Sequence, residues 1–403
     1  MLAVVRCVAA VIVLGCRGAP PGGGGGAAQD ERLARMVDSL RPSVERATGM
    51  RFAGPTRSAL KTRDEIREYL TGRLREDFPP EREEGIGAVY RLLGLIPDTL
   101  DLKQLLLDLY TEQVAGFYDP ESRTLFGVQG ADPTQLRLVL AHELVHALQH
   151  QYLPVDSLME QKGNADRQSA AQAVLEGHAT IASIRVLTPG QDVMARPEFW
   201  QLFRDQIRQQ QGSMEVFSRA PLAIRFELIF PYLNGAEFMR WWMSERSSEP
   251  LPTVATMPKS TEHILHPDRY ARADDPIPVR FADSTVDVLY EDTFGEFETQ
   301  VLSAVFLSLA DVPTERSLGW GGDRLRIYRS TLGPALVWMT AWDDSSSAAR
   351  FRDRIGADLL RRPRHGYRTT VDPLPSQRPM VRIVIAPTGW ERWSRLPQPA
   401  LDR

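Results

Sequence analysis

Residues 140–152 read LAHELVHALQHQY. His142, His146 and His150 repeat every four residues, and Glu143 follows the first. Residues four apart on an α-helix lie about 40° apart around the axis and about 6 Å apart along it. His142 and His146 can therefore share one small ion at roughly 2.0–2.1 Å. Glu143 sits about 100° from His142, beside such an ion rather than on it. There its carboxylate can take a proton from water that the ion acidifies. His150 lies about 12 Å from His142 along the axis, too far to join them, and reads as a rim or supporting residue. The other face carries Leu136, Leu140, Leu144, Ala147 and Leu148, so the helix is central and packed. A plain core helix with satisfied imidazoles shares this pattern, and the surroundings have to decide.

Those surroundings favour a built site. Asp132 is a good N-cap, Pro133 suits the first helical position, and Gln135 completes a capping-box pattern. The helix is predicted from 133 to about 152, ending before Pro154. Upstream, VAGFY and RTLFGV flank the turn residues Asp119-Pro120-Glu121-Ser122, which predicts a β-hairpin over 113–128. Catalytic zinc usually takes three protein ligands and keeps one position open. The stretch SAAQAVLEGHATIASIRVL, residues 169–187, is strongly helical and offers Glu176 and His178. These lie about 200° apart, so only one can face the first helix. Small and polar residues surround Glu176, and apolar ones surround His178. Glu176 is the expected third ligand of a Zn2+ ion and His178 a core histidine.

The whole chain sets further bounds. Its 403 residues suffice for two or three domains, and 43% apolar with 25% charged residues is ordinary for a globular protein. A net charge of -4 gives no polybasic face and argues against nucleic acid as a partner. MLAVVRCVAAVIVLGCRGAP has one early arginine and then an apolar run too short to span a bilayer, as in a signal peptide. Val13-Leu14-Gly15-Cys16 resembles the lipobox of bacterial lipoproteins, although Leu14 is bulkier than usual there. That resemblance implies a lipoprotein signal region over 1–16, lipidation of Cys16 as the mature N-terminus, and an extracytoplasmic place in the bacterial cell envelope. An ordinary secretory signal cleaved near Ala19 is the other reading. Residues 17–30, rich in Gly and Pro, read as a tether. Cys7 and Cys16 are the only cysteines, so a metal site in the folded part must use His, Asp or Glu. The expected order is a helical region over 31–112, the candidate catalytic domain over 113–275, a linker around Asp274-Asp275-Pro276-Ile277-Pro278, and a small α+β domain over 276–403.

Two histidines on one helix and a glutamate on the next resemble the gluzincin metallopeptidases. EQVAGFYDPESRTLFGV, HELVHALQ, LEGHAT and STEHILHPDRY are together similar to bacterial lipoproteins with HExxH domains. The resemblance implies an α+β chain with a zincin-like domain, held at the membrane by its lipid, that hydrolyses peptide or protein substrates. His142, His146 and Glu176 would hold zinc, and Glu143 would act as general base. The strand before the HELVH helix would bind extended substrate, with Gly116 and Tyr118 candidates to line the cleft. An oxyanion donor is also implied. Within STEHILHPDRY, His263, His266 and Tyr270 are the candidates, and they serve equally well as loop residues. The metzincin extension is absent, since its Gly and third His would fall at Gln149 and Tyr152. The gap from His146 to Glu176 is longer than in thermolysin-like enzymes, and Thr180 replaces the Asp one turn after their ligand Glu. The group that orients a ligand histidine must therefore come from elsewhere. Two rival readings are a zincin-like lipoprotein that binds but does not cut, and a metal-free helical lipoprotein.

Overall fold

A computed structural model of the protein describes residues 26–283, 286–312 and 317–401. Cys16 and the tether up to residue 25 lie outside the described residues. The last residues expected in the tether, 26–30, instead open a helix, Gly26–Thr48. Its Leu33, Val37, Leu40 and Val44 recur at helical spacing and are buried. The helix packs against the HELVH helix and so joins that half of the structure.

The architecture is mixed α/β. Strands β1 (Arg57–Lys61), β2 (Gly116–Asp119) and β3 (Thr124–Val128) form a sheet in the order β1-β3-β2. The expected hairpin is present, with Gly116 opposite Gly127 and Asp119 opposite Thr124. β1 pairs in parallel with β3, from Arg57 opposite Thr124 to Lys61 opposite Val128. The region expected to be wholly helical over 31–112 therefore supplies a strand to the sheet beside the HELVH helix. That helix spans Pro133–Tyr152, and the Asp132 side chain accepts from the amides of Thr134 and Gln135. The Glu176 helix is longer than expected, Ala165–Leu187, because Asn164 caps it at the amide of Arg167. A third long helix, Leu222–Glu245, packs along it.

Strand β4 (Val279–Phe281) pairs with β10 (Pro399–Leu401). An antiparallel sheet takes β5 (Val288–Asp292), β6 (Trp320–Tyr328), β7 (Ala335–Trp342), β8 (Tyr367–Leu374) and β9 (Met380–Pro387) in the order β5-β6-β7-β9-β8. Alternation along β7 sends Leu336 and Trp338 to one face, Val337 and Met339 to the other. The first face joins the core that also holds Leu33, Leu140, Leu144, Val174 and Ile181. The second packs on Phe281 and Trp390. One core thus runs across the expected boundary near 275, and a second lies beyond it. The Asp-Pro stretch at that boundary is not a free linker, since the Ile277 amide bonds the Gly321 carbonyl at 2.6 Å. Among the described residues no helix is long and apolar enough to cross a membrane.

Candidate metal centre

The HELVH helix and the Glu176 helix pack side by side and bring His142, His146 and Glu176 together. One ligand atom from each lies within 4.8 Å of the others. His142 Nε2 is 3.1 Å, and His146 Nε2 3.5 Å, from Glu176 Oε2. Ligands at zinc-bond lengths on a tetrahedral ion are about 3.3 Å apart, so these separations fit one small ion. The His146 contact lacks hydrogen-bond geometry, which leaves its buried Nε2 without a partner. Two imidazoles and one carboxylate are a donor set suited to zinc. His142 is 3% exposed, Glu143 1% and Glu176 6%, so water competes little for these groups. The His146 side chain is 14% exposed and marks the side on which the site reaches solvent.

The charges follow from burial and proximity. Burial alone would raise the Glu176 carboxyl, but the charge of His146 and the close approach of both imidazoles pull it down to about 2. Burial would lower His146, yet the adjoining carboxylates raise it to about 9. Without an ion, His146 carries the positive charge that holds Glu176 ionised. Burial dominates at His142 and lowers it. Glu143 is pushed up to about 8, first by burial and then by Glu176, against His146 and the Tyr118 amide. That amide donates to Glu143 Oε2 at 2.8 Å, while buried Oε1 has no partner. The carboxylate is thus held by one oxygen with the other unengaged.

Two supporting residues were not singled out from the sequence. Gln149 Oε1 accepts from His146 Nδ1 at 2.7 Å, and Gln149 Nε2 donates to the Leu175 carbonyl at 2.8 Å. The same Nε2 lies 3.2 Å from His178 Nδ1. The glutamine therefore ties the second ligand histidine to the Glu176 helix, the orienting role that Thr180 cannot fill. His178 is fully buried, lowered to about 3 by burial first, and neutral, as expected of a core histidine. Tyr232 reaches the site from the third long helix. Its ring centroid is 6.1 Å from that of His142, and its hydroxyl lies within the electrostatic influence of Glu176. Burial, then the charges of Glu176 and Glu143, hold that hydroxyl protonated.

Glycine makes this arrival possible. A Cβ at Gly177 would lie 2.1 Å from the carbonyl carbon of Gly235, and one at Gly235 2.0 Å from the Ala173 carbonyl oxygen. The two helices cross with backbones in contact, one residue from Glu176 and three from Tyr232.

Other expected residues divide between two places. Gly116 and Tyr118 lie on β2, which is one of the two edge strands of its sheet and packs on the HELVH helix. Tyr118 meets Glu143 through its backbone, and its ring lies 5.5 Å from that of His150. Burial, the leading effect, lowers His150 to about 4, so it too is neutral. His263, His266 and Tyr270 gather elsewhere. His263 Nε2 bonds the Asp274 carbonyl at 2.8 Å, and the Tyr270 hydroxyl bonds the Thr256 carbonyl at 2.7 Å. His266 Nε2 lies 3.2 Å from Glu296. Their segment is pinned where the Thr261 amide meets Asp166, ten residues and about 15 Å along the helix from Glu176. Chain proximity within STEHILHPDRY is no guide to which end of a long helix it meets.

Comparison with known proteins adds little to this geometry. Residues 284–383 match a family described as a domain of unknown function (DUF8575), a segment that contains none of the three ligand candidates. No curated protein matches. A crystal structure from Chloroflexus aurantiacus, described as that of a candidate hydrolase with a novel fold, is similar at a TM-score of 0.41 and 21% identity. The match covers 63% of this chain and 92% of that one.

Proposed function

We propose that this chain is a zinc-dependent peptidase of zincin type that hydrolyses peptide bonds in peptides or proteins. The convergence of His142, His146 and Glu176, with a buried Glu143 carboxylate alongside, carries the reading. Bound zinc would supply Lewis acidity, polarising the scissile carbonyl and lowering the pKa of a water toward 7. Glu143 takes the proton of the attacking water on its unengaged Oε1 and passes it to the leaving amine. The Tyr118 amide fixes the other carboxylate oxygen during both transfers. The Tyr232 hydroxyl, protonated and beside Glu176, donates to the oxyanion as it develops, a role not expected of it from the sequence. Extended substrate lies along the outer edge of β2, near Gly116 and Tyr118, where backbone pairing holds any sequence and pockets choose among side chains. The β2–β3 hairpin that precedes the HELVH helix, as the resemblance implies, supports the zincin assignment. Lipidation of Cys16 would hold the enzyme on the extracytoplasmic side of the bacterial envelope membrane, a part of the proposal that rests on the N-terminal sequence alone.

The test is Glu143→Gln, assayed on a peptide library with zinc content measured in parallel. The expected outcome is one zinc per chain in both proteins, and turnover lower by about 10²–10⁴ in the variant. Wild-type protein that holds zinc and cleaves nothing would support the rival, a zincin-like lipoprotein that only binds.

A further inference from the structure

A cavity of about 650 Å³ lies between helix Pro197–Gly212 and helix Leu222–Glu245, and none of its lining residues belongs to the metal centre. This is the size of an ordinary small-molecule site. Ile207, Phe217, Phe226, Ile229 and Phe297 give it apolar walls. At the mouth, Arg204 pairs with Glu237 at 2.8 Å and Arg208 pairs with Asp311. All four side chains are more than a third exposed, as expected of a polar rim.

A third lining guanidinium has no such partner. Arg225 is half-buried, its Nε is buried without a hydrogen bond, and it makes no ion pair among the described residues. The lining thus holds one positive charge in excess, next to phenyl and aliphatic walls. Removing part of a guanidinium from water without an anion is unfavourable. Arginine's planar fork matches a carboxylate, with two parallel bonds. We propose that this cavity binds an aliphatic carboxylate, with the head group on Arg225 and the chain against Phe226, Ile229 and Phe297. A single excess charge suits a monoanion better than a dianionic phosphate. The assignment is independent of the peptidase reading.

The experiment is calorimetric titration of the full chain with decanoate and with decan-1-ol, each below its aggregation concentration, in wild type and Arg225→Gln. Decanoate is expected to bind saturably, one per chain, and at least tenfold more tightly than the alcohol. Arg225→Gln should bind decanoate no better than wild type binds the alcohol, with its zinc content unchanged. Absence of saturable decanoate binding, equal affinity for the two ligands in wild type, or undiminished decanoate binding in folded Arg225→Gln would each overturn the proposal. Should the variant fail to fold, the ratio of the two ligands on wild type decides alone.

Discussion

His142, Glu143 and His146 could be read from the sequence because their relation is local: helical spacing alone sets it. Gln149 lies one turn beyond His146 on the same helix, so its support of Nδ1 carried a usable signal that spacing for a metzincin ligand obscured. Tyr232 carried none, since nothing in PYLN tells which helix it will meet. Both residues give predictions. Gln149→Ala removes the acceptor that fixes the His146 ring and should weaken zinc binding by about 10–100-fold, read by competition with a chelator. Tyr232→Phe keeps the ring and deletes the hydroxyl. It should lower kcat by about 10²–10³ with zinc content unchanged. Unchanged kcat in Tyr232→Phe would remove it from the machinery.

Among elements, the legible ones announce their own ends. Asp132-Pro133 starts the HELVH helix, and Asp119-Pro120 turns the hairpin. β1 was hidden because RSALK is short, lies between helices and pairs with a strand more than sixty residues away. The crossing of the Glu176 and Tyr232 helices was hidden too, since Gly177 and Gly235 acquire meaning only when the backbones touch. Gly177→Ala or Gly235→Ala must push those helices apart, a form of overpacking that costs about 1–3 kcal/mol or more. Thermal unfolding should show the loss of stability. On the proposed function, whatever folded protein remains should show reduced kcat, because Tyr232 retreats from Glu176. A variant as stable and as active as wild type would contradict the close crossing.

At the scale of the molecule, composition suggested separable domains, and the larger core runs across the expected boundary near 275. Leu33, Leu144, Phe297 and Trp338 belong to it together. The Glu176 helix is also clamped at its start, where the Ala165 amide donates to Asp292 at 2.6 Å and Asp166 accepts from Thr261. A chain ending at residue 275 is therefore expected to lose cooperative unfolding, seen by circular dichroism, and to bind zinc poorly. Burial pushes Asp166 up to about 7, against its bonds from Thr261 and with help from nearby Asp323. Folding therefore favours its protonated form. That contribution is complete below about pH 4 and is lost as the pH rises through about 7. Asp166→Asn should flatten this part of the unfolding-midpoint profile between those limits. The central claim, that His142, His146 and Glu176 form one metal site, is tested most directly by zinc per chain, measured by elemental analysis on wild type and Glu176→Ala. One zinc in the wild type, lost or greatly weakened in the variant, is the predicted result. No zinc in folded wild type after incubation with the metal, or full retention in Glu176→Ala, would contradict it.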